Sequence, residues 1–337
     1  MTEDEGMTYS DAGVDIADSE AATAALLGAV GETDGQTEDS DYAGLIDIGD
    51  QYLALATDGV GTKLLVAEAL GDYSTVGIDC IAMNANDLVA AGVEPVAFVD
   101  YLAIDEPDDA TAEQLGTGLA DGARTAGVAL VGGETAVMPE VVSGLDLAGT
   151  CAGLAPKDTV FSGNAAAGDA LVGFPSDGIH SNGLTLARKA LTKRHDYTDP
   201  FPGSDDSRTI GEELLEPTRI YTDLLEPLWS HDTHAAAHVT GGGWTNLLRM
   251  GAFRYVITAP FECQPIFELI QTEGNVTDEE MHRTFNMGTG FVAALPSDDA
   301  ESIVENTDGR IIGHIEEDNT ETGSVEIRGL TIEENNS

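Results

Sequence analysis

The chain has 337 residues, 61 of them acidic and 14 basic, for a formal net charge of −47. A surface this negative repels phosphodiester backbones and anionic headgroups, which excludes a general nucleic-acid binder and a polybasic membrane anchor. With 42% hydrophobic residues the chain has the apolar content of a folded protein, not of a disordered acidic tail, and its length suggests about two domains. The acids run from Glu3 to Glu334, so the charge belongs to the whole surface. Carboxylates at this density suit molar salt, where the Debye length falls to about 3 Å, and the expectation is a halophilic source. Cys80, Cys151 and Cys263 form neither a CxxC pattern nor an even-numbered disulfide framework. The start Met1-Thr2-Glu3-Asp4-Glu5 lacks the basic and apolar regions of a secretory signal, and no run approaches the roughly 18 to 20 apolar residues of a spanning helix. A reduced, cytoplasmic protein is expected.

In chain order, apolar runs at 52–56, 96–102, 129–132 and 146–153 read as strands, with Ala- and Leu-rich helical stretches at 77–92 and 110–127, each ended by Gly. This β-α-β-α-β-β order implies an α/β (α+β) layer rather than a helical bundle. The small-residue stretch 162–169 reads as a junction, dividing the chain into 1–160 and 161–337. Beyond it come a strand at 170–174, a helix after Ser181 and an acidic connection at 196–207. Helices at 218–229 and 244–250 follow, then strands at 254–257, 290–295 and 310–316. The polar tail after Glu317 carries one apolar alternation at 325–332. No fixed-period repeat is present.

Five segments carry possible chemistry. Thr57-Asp58-Gly59-Val60-Gly61-Thr62-Lys63 follows a strand and opens a helix-like run. Its glycines allow backbone N–H groups close to phosphate, Lys63 offers a point charge, and Asp58 can hold a divalent cation. The GxxxxGK[ST] spacing of a Walker A loop is absent, and a simple turn is the bland alternative. On the helix 77–92, Asp79, Met83, Asn86 and Asp87 fall on one face; they read either as hard-cation ligands or as a hydrogen-bonded polar core cluster. Glu134, in Val131-Gly132-Gly133-Glu134-Thr135-Ala136, adds a carboxylate after a strand end. Asp58, Asp87 and Glu134 together suit Mg²⁺ bridging phosphate oxygens. In the second half, Gly178-Ile179-His180-Ser181-Asn182-Gly183 precedes a helix whose free N–H groups make either an anion site or a plain cap. His238-Val239-Thr240-Gly241-Gly242-Gly243 follows the same logic. The other histidines, at 195, 231, 234, 282 and 314, show no zinc-like spacing and read as ordinary surface or core groups.

Together these segments resemble the phosphoribosylformylglycinamidine cyclo-ligase family, also called aminoimidazole ribonucleotide synthetases. The resemblance rests on the five segments just described, two of them extended to the run 77–95 ending Ala91-Gly92-Val93-Glu94-Pro95 and to Gly132-Gly133-Glu134-Thr135-Ala136-Val137-Met138-Pro139, and on Tyr9-Ser10-Asp11-Ala12-Gly13-Val14-Asp15-Ile16. It also includes Glu216-Pro217-Thr218-Arg219-Ile220-Tyr221 and Met281-His282-Arg283-Thr284-Phe285-Asn286-Met287-Gly288. It implies a two-domain architecture with amino-terminal sheets joined in a homodimer. It also implies a reaction: ATP-dependent closure of formylglycinamidine ribonucleotide to aminoimidazole ribonucleotide, with release of ADP and phosphate. By the same resemblance, Asp58, Gly59, Gly61, Thr62 and Lys63 contact nucleotide phosphate, and Asp58, Asp87 and Glu134 hold Mg²⁺ with Asp79 and Asn86 as neighbours. Ser181, Asn182, Gly183 and Gly241, Gly242, Gly243 hold substrate or ATP phosphates. His180, whose imidazole ordinarily titrates near neutrality, is the candidate for proton transfer.

One departure stands out: where family members commonly carry a basic glycine-rich stretch, residues 31–44 are acidic, and no Lys or Arg precedes Lys63. Rival readings within the same superfamily are selenophosphate synthetase, thiamine monophosphate kinase and the hydrogenase maturation dehydratase. The first usually shows an early reactive Cys, and none precedes Cys80; the second tends to pair acids at its first metal site, where this chain has Asp58 alone. A non-catalytic acidic cation-binding protein leaves the ordered glycine turns unexplained.

Overall fold

The computed structural model describes residues 6–14, 21–26, 29, 37–38, 42–161, 163, 165–203, 208–318, 320 and 322–333. Most of the acidic stretch singled out at 31–44, namely 31–36 and 39–41, lies outside the described residues. Among the described residues no helix is long and apolar enough to cross a membrane.

The amino-terminal sheet contains β1 (Thr37–Glu38), β2 (Gly44–Asp47), β3 (Gln51–Gly59), β4 (Glu94–Ile104), β5 (Ala129–Val137) and β6 (Leu145–Pro156). Their order is β1-β2-β3-β6-β4-β5. Helices α1 (Leu64–Leu70), α2 (Val76–Ala90) and α3 (Asp109–Ala126) connect them. Among the described residues of this sheet only β4 and β5 pair parallel, and α3 supplies the crossover that a parallel pair needs. Asp108 caps α3 by accepting from Thr111 N, and Gly127 ends it in the left-handed region at φ 74°. Helix α2 is buried almost all round, including Asp79, Asn84 and Asn86, so those polar groups need partners from the neighbouring elements.

The carboxy-terminal sheet holds β7 (Ala170–Pro175), β8 (Ala235–His238), β9 (Arg254–Ile257), β10 (Thr289–Leu295), β11 (Arg310–Glu316), β12 (Ser324–Ile327) and β13 (Leu330–Glu333). Their order is β13-β12-β9-β11-β7-β10-β8. Every residue of β10 is buried, as expected for a strand with a neighbour on each side. The helices of this half are α4 (Leu184–Leu191), α5 (Ile210–Leu214), α6 (Leu225–Trp229), α7 (Pro265–Gly274), α8 (Asp278–Thr284) and α9 (Ser297–Asn306). The tail alternation at 325–332 folds back as the β12–β13 hairpin. Its turn places Arg328 at φ 52° and Gly329 at φ 84°, the positive pair that suits strand twist.

Two expectations fail locally. The helix expected over 218–229 is broken: residues 218–221 are irregular, followed by a 3₁₀ turn, Thr222–Leu224, and then α6. The cause is tertiary. Thr218 N donates to Asp79 Oδ1 at 2.7 Å, Tyr221 N donates to Asn86 Oδ1 at 2.8 Å, and the Arg219 carbonyl accepts from Asn86 Nδ2 at 2.8 Å. Side chains of α2 take the backbone groups that a helix would have used. The stretch at 244–250 forms a 3₁₀ helix, Gly243–Met250, rather than an α-helix.

Candidate active site

The end of β3 delivers Asp58 and Gly59, and the chain then turns through the short 3₁₀ helix Gly61–Lys63 into α1. Asp58 is half-buried beside Asp87. Burial first, and then the Asp87 charge, push its carboxyl up to about 6, with the Gly59 N–H and His238 pulling back. Thr62 Oγ1 lies 2.8 Å from Thr185 Oγ1 in α4, so the loop faces the carboxy-terminal domain.

Lys63 departs from the expected phosphate contact. It is fully buried, and its Nζ donates to Asp79 Oδ1 at 2.9 Å and to the Glu216 carbonyl at 2.5 Å. Asp79 Oδ1 also accepts from Thr218 N and, at 2.6 Å, from Thr218 Oγ1. Burial pulls the Lys63 ammonium down and Asp79 pushes it back up. The pair ties the loop to α2 and to the segment 216–218, so Lys63 supports the site from behind rather than facing a ligand.

One turn further along α2, Asn84 Nδ2 donates to the Asp58 and Cys80 carbonyls at 3.2 and 2.8 Å, which fixes the end of β3 over the helix. Asp87 Oδ1 lies 2.9 Å from Nδ1 of His238, the last residue of β8, and His238 is wholly buried while Asp87 keeps 22% exposure. The sequence reading gave His238 no separate role. No spacing signal exists for two residues 151 positions apart.

The glycine turns sit beside these carboxylates. Gly183 is the N-cap of α4 at φ 76°, and a Cβ there would lie 2.3 Å from the Phe285 ring, so only glycine fits. Gly243, at φ 53°, is equally constrained by the His282 carbonyl at 2.3 Å. A Cβ on Gly241 would lie 3.2 Å from Asn182 Oδ1, which puts the two turns against each other. Asn182 Nδ2 reaches Met83 Sδ of α2 at 3.7 Å, and Ser181 Oγ reaches Thr218 Oγ1 at 3.2 Å. Gly241 and Gly242 are half-buried, and the turn is closed by the Gly243 N–H, which donates to the Thr240 carbonyl at 2.8 Å.

His180 lies behind the first turn, buried, at φ 67°. Its Nε2 receives the Asp177 N–H at 3.3 Å and the Arg219 N–H at 3.5 Å, while Nδ1 has no partner. Burial, and then His238, Lys63 and Arg219, push its pKa well below 6.5. The imidazole is therefore neutral near pH 7, not poised at its ordinary value.

Glu134 does not join Asp58 and Asp87. Across the sheet Asp58 pairs with Gly149, Gly149 with Asp100, and Asp100 with Gly133, so three strand spacings, about 14 Å, separate Asp58 from the neighbour of Glu134. Glu134 is exposed on β5, and among the described residues no group of three or more His, Cys, Asp or Glu could hold a metal. Two carboxylates close enough to raise the pKa of one nevertheless fit Mg²⁺, which commonly takes one or two carboxylates plus phosphate oxygens and water.

The two sheets, with the acidic and glycine-rich segments meeting between them, match two known domains. Residues 40–155 match the AIR synthase related protein N-terminal domain and residues 166–326 its C-terminal domain. The class is thus a two-domain AIR synthase-related protein. Curated relatives narrow it. The chain is similar to "Phosphoribosylformylglycinamidine cyclo-ligase" of Methanosarcina acetivorans, 46% identical over 334 residues, 97% of this chain and 98% of the relative. It is 48% identical to the protein of that name from Methanococcoides burtonii, over 95% of this chain and 98% of the relative. The chain belongs to the phosphoribosylformylglycinamidine cyclo-ligase family. The fold is shared with thiamine monophosphate kinase from Aquifex aeolicus, at TM-score 0.64 and 15% identity, covering 95% of this chain and 99% of that one. It is also shared with a hydrogenase maturation protein solved in complex with ATP, at TM-score 0.59 and 19% identity, covering 83% and 84%.

Proposed function

We propose that the chain closes formylglycinamidine ribonucleotide to aminoimidazole ribonucleotide with consumption of ATP. The γ-phosphoryl group passes to the amide oxygen, the amidine nitrogen attacks the activated carbon, and phosphate leaves as the ring closes, with ADP as the other product. The observation that carries this reading is near-full-length identity of 46% to a cyclo-ligase whose name states the chemistry. Positioning two ends of one bound molecule and neutralising phosphate charge are the main tasks.

Asp58 and Asp87 are the residues that would hold Mg²⁺, which when bound neutralises phosphate charge. Gly59, Gly61 and Thr62 line the nucleotide side; Ser181, Asn182 and Gly183 and the turn residues Gly241 and Gly242 offer N–H and side-chain donors to the other phosphate, while Gly243, whose N–H donates to the Thr240 carbonyl at 2.8 Å, shapes that turn. Lys63 holds the loop. His180 Nδ1, a buried polar atom without a protein partner, is the proton-handling atom of this reading. The domain boundary is set at 160/161. A homodimer through the edge of the amino-terminal sheet and a salt-rich cytoplasm complete the proposal.

The test is turnover at high salt with Mg²⁺, ATP and formylglycinamidine ribonucleotide, following product and ADP. One ADP per aminoimidazole ribonucleotide is expected; equal ADP release with and without the ribonucleotide would remove the cyclo-ligase reading.

A further inference from the structure

His238 stands between the two domains, and its hydrogen bonds define its tautomer. Asn86 on α2 is oriented by two backbone groups: its Oδ1 accepts from Tyr221 N at 2.8 Å, and its Nδ2 donates to the Arg219 carbonyl at 2.8 Å. The amide cannot be flipped without facing donor to donor and acceptor to acceptor. The Asn86 atom that faces His238 Nε2, at 3.3 Å, is therefore the donor Nδ2. Nε2 must accept, which leaves the imidazole proton on Nδ1, 2.9 Å from Asp87 Oδ1.

We propose that His238 is a positioning residue that, locked by Asn86 as the Nδ1–H tautomer, donates to Asp87 Oδ1 and so orients the Asp87 carboxylate toward its ligand. Asp87 keeps Oδ2 for the cation. Because His238 ends β8 three residues before Gly241, the same short segment sets both the Asp87 carboxylate in one domain and the glycine turn in the other. Partners of this kind fix the geometry of the group they bond, and their loss typically costs about 10- to 100-fold in metal affinity. The inference rests on Asp87 being a cation ligand.

The test uses Mn²⁺ as a paramagnetic probe, titrated by electron paramagnetic resonance into the full chain at high salt with a non-hydrolysable ATP analogue. H238Q puts its amide near the Nε2 position and loses the donor to Asp87; H238N keeps an N–H near the Nδ1 position. Mn²⁺ affinity is expected to fall about 10- to 100-fold in H238Q and to stay within a few fold of the parent in H238N. Equal loss in both variants, or in neither, overturns the positioning role. D87N separates the two ideas: if D87N leaves Mn²⁺ affinity unchanged, the ligand reading of Asp87 fails and this one with it, whereas a loss in D87N without a loss in H238Q sinks only the role of His238. Histidine ¹⁵N NMR on the parent chain gives a measurement that does not depend on how the variants fold. The assigned His238 imidazole must show a protonated Nδ1 and an unprotonated Nε2, and the reverse pattern overturns the proposal.

Discussion

Single residues at and behind the site carry opposing electrostatic demands. Asp58 is raised to about 6 from 3.8 by burial and by Asp87, so its ionised form is disfavoured in the fold. The sign follows: its contribution to stability is greatest below 3.8, falls as pH rises from 3.8 to about 6, and is level above that. At 1.36 kcal/mol per unit the ionised carboxylate costs about 3 kcal/mol. Metal-free D58N should therefore melt above the parent at pH 8 and lose that advantage near pH 4, measured by calorimetry at fixed high salt; an advantage independent of pH would mean that burial does not raise Asp58. Lys63 presents the reverse case, a buried cation whose counterion Asp79 is buried too. K63M strands the Asp79 charge and should cost about 3–5 kcal/mol, while K63M/D79N should recover most of it. Denaturant titration of both variants checks this, and a double variant no better than K63M would show that the pair is not the source of the loss.

At the level of elements, much of the architecture was legible where periodicity and caps agree. The runs at 52–56, 96–102 and 146–153 sit inside β3, β4 and β6, and the stretches 77–92 and 110–127 became α2 and α3 within a residue or two at each end. What was not legible depended on distant partners. The strand β8 is Ala-Ala-Ala-His, with weak β propensity; it is a strand because β10 offers it a ladder. Residues 218–221 carry helix-compatible side chains, yet Asp79 and Asn86 of α2 claim their backbone groups. The candidate site shows the same division. Local motifs pointed to Asp58, Asp87 and both glycine turns, whereas the burial of Lys63, the separation of Glu134 and the Asp87–His238 bond all arise from packing between segments far apart in sequence. The turn into α4 is where sequence and packing meet, since Gly183 combines a left-handed φ with the Phe285 ring against its Cα. G183A should destabilise the chain by about 1–3 kcal/mol and raise the KM for the ribonucleotide substrate. An unchanged KM in a folded G183A chain would separate this turn from phosphate recognition.

The whole molecule poses two surface questions that one charge distribution connects. Strand β5 is an edge strand exposed along nearly its entire length, with Val131 at 63% and Val137 at 53% exposure. An uncovered apolar edge invites another chain, and the self-complementary contact of a two-fold dimer is the simplest cover. Light scattering at high salt should give twice the 35.1 kDa chain mass, and V131D/V137D should give the monomer. Burying that edge in a dimer also brings two chains of net charge −47 together, which is unfavourable unless mobile ions screen the repulsion. The Debye length is about 10 Å at 0.1 M salt and about 3 Å at 1 M, so repulsion between carboxylates on facing surfaces is largely removed only at the higher concentration. The 14 basic side chains are too few to neutralise 61 acids internally, and several of them, Lys63 with Asp79 and Arg219 with Asp308 among them, are already engaged one to one. Dilution from 2 M to 0.1 M KCl should therefore dissociate the dimer and then unfold the chain, with mass by light scattering falling before the far-ultraviolet dichroism does. Sucrose at matched water activity should not rescue it if screening is the cause. A dimer and a melting temperature unchanged on dilution would show that the acidic surface is tolerated without salt, and would remove the halophilic reading.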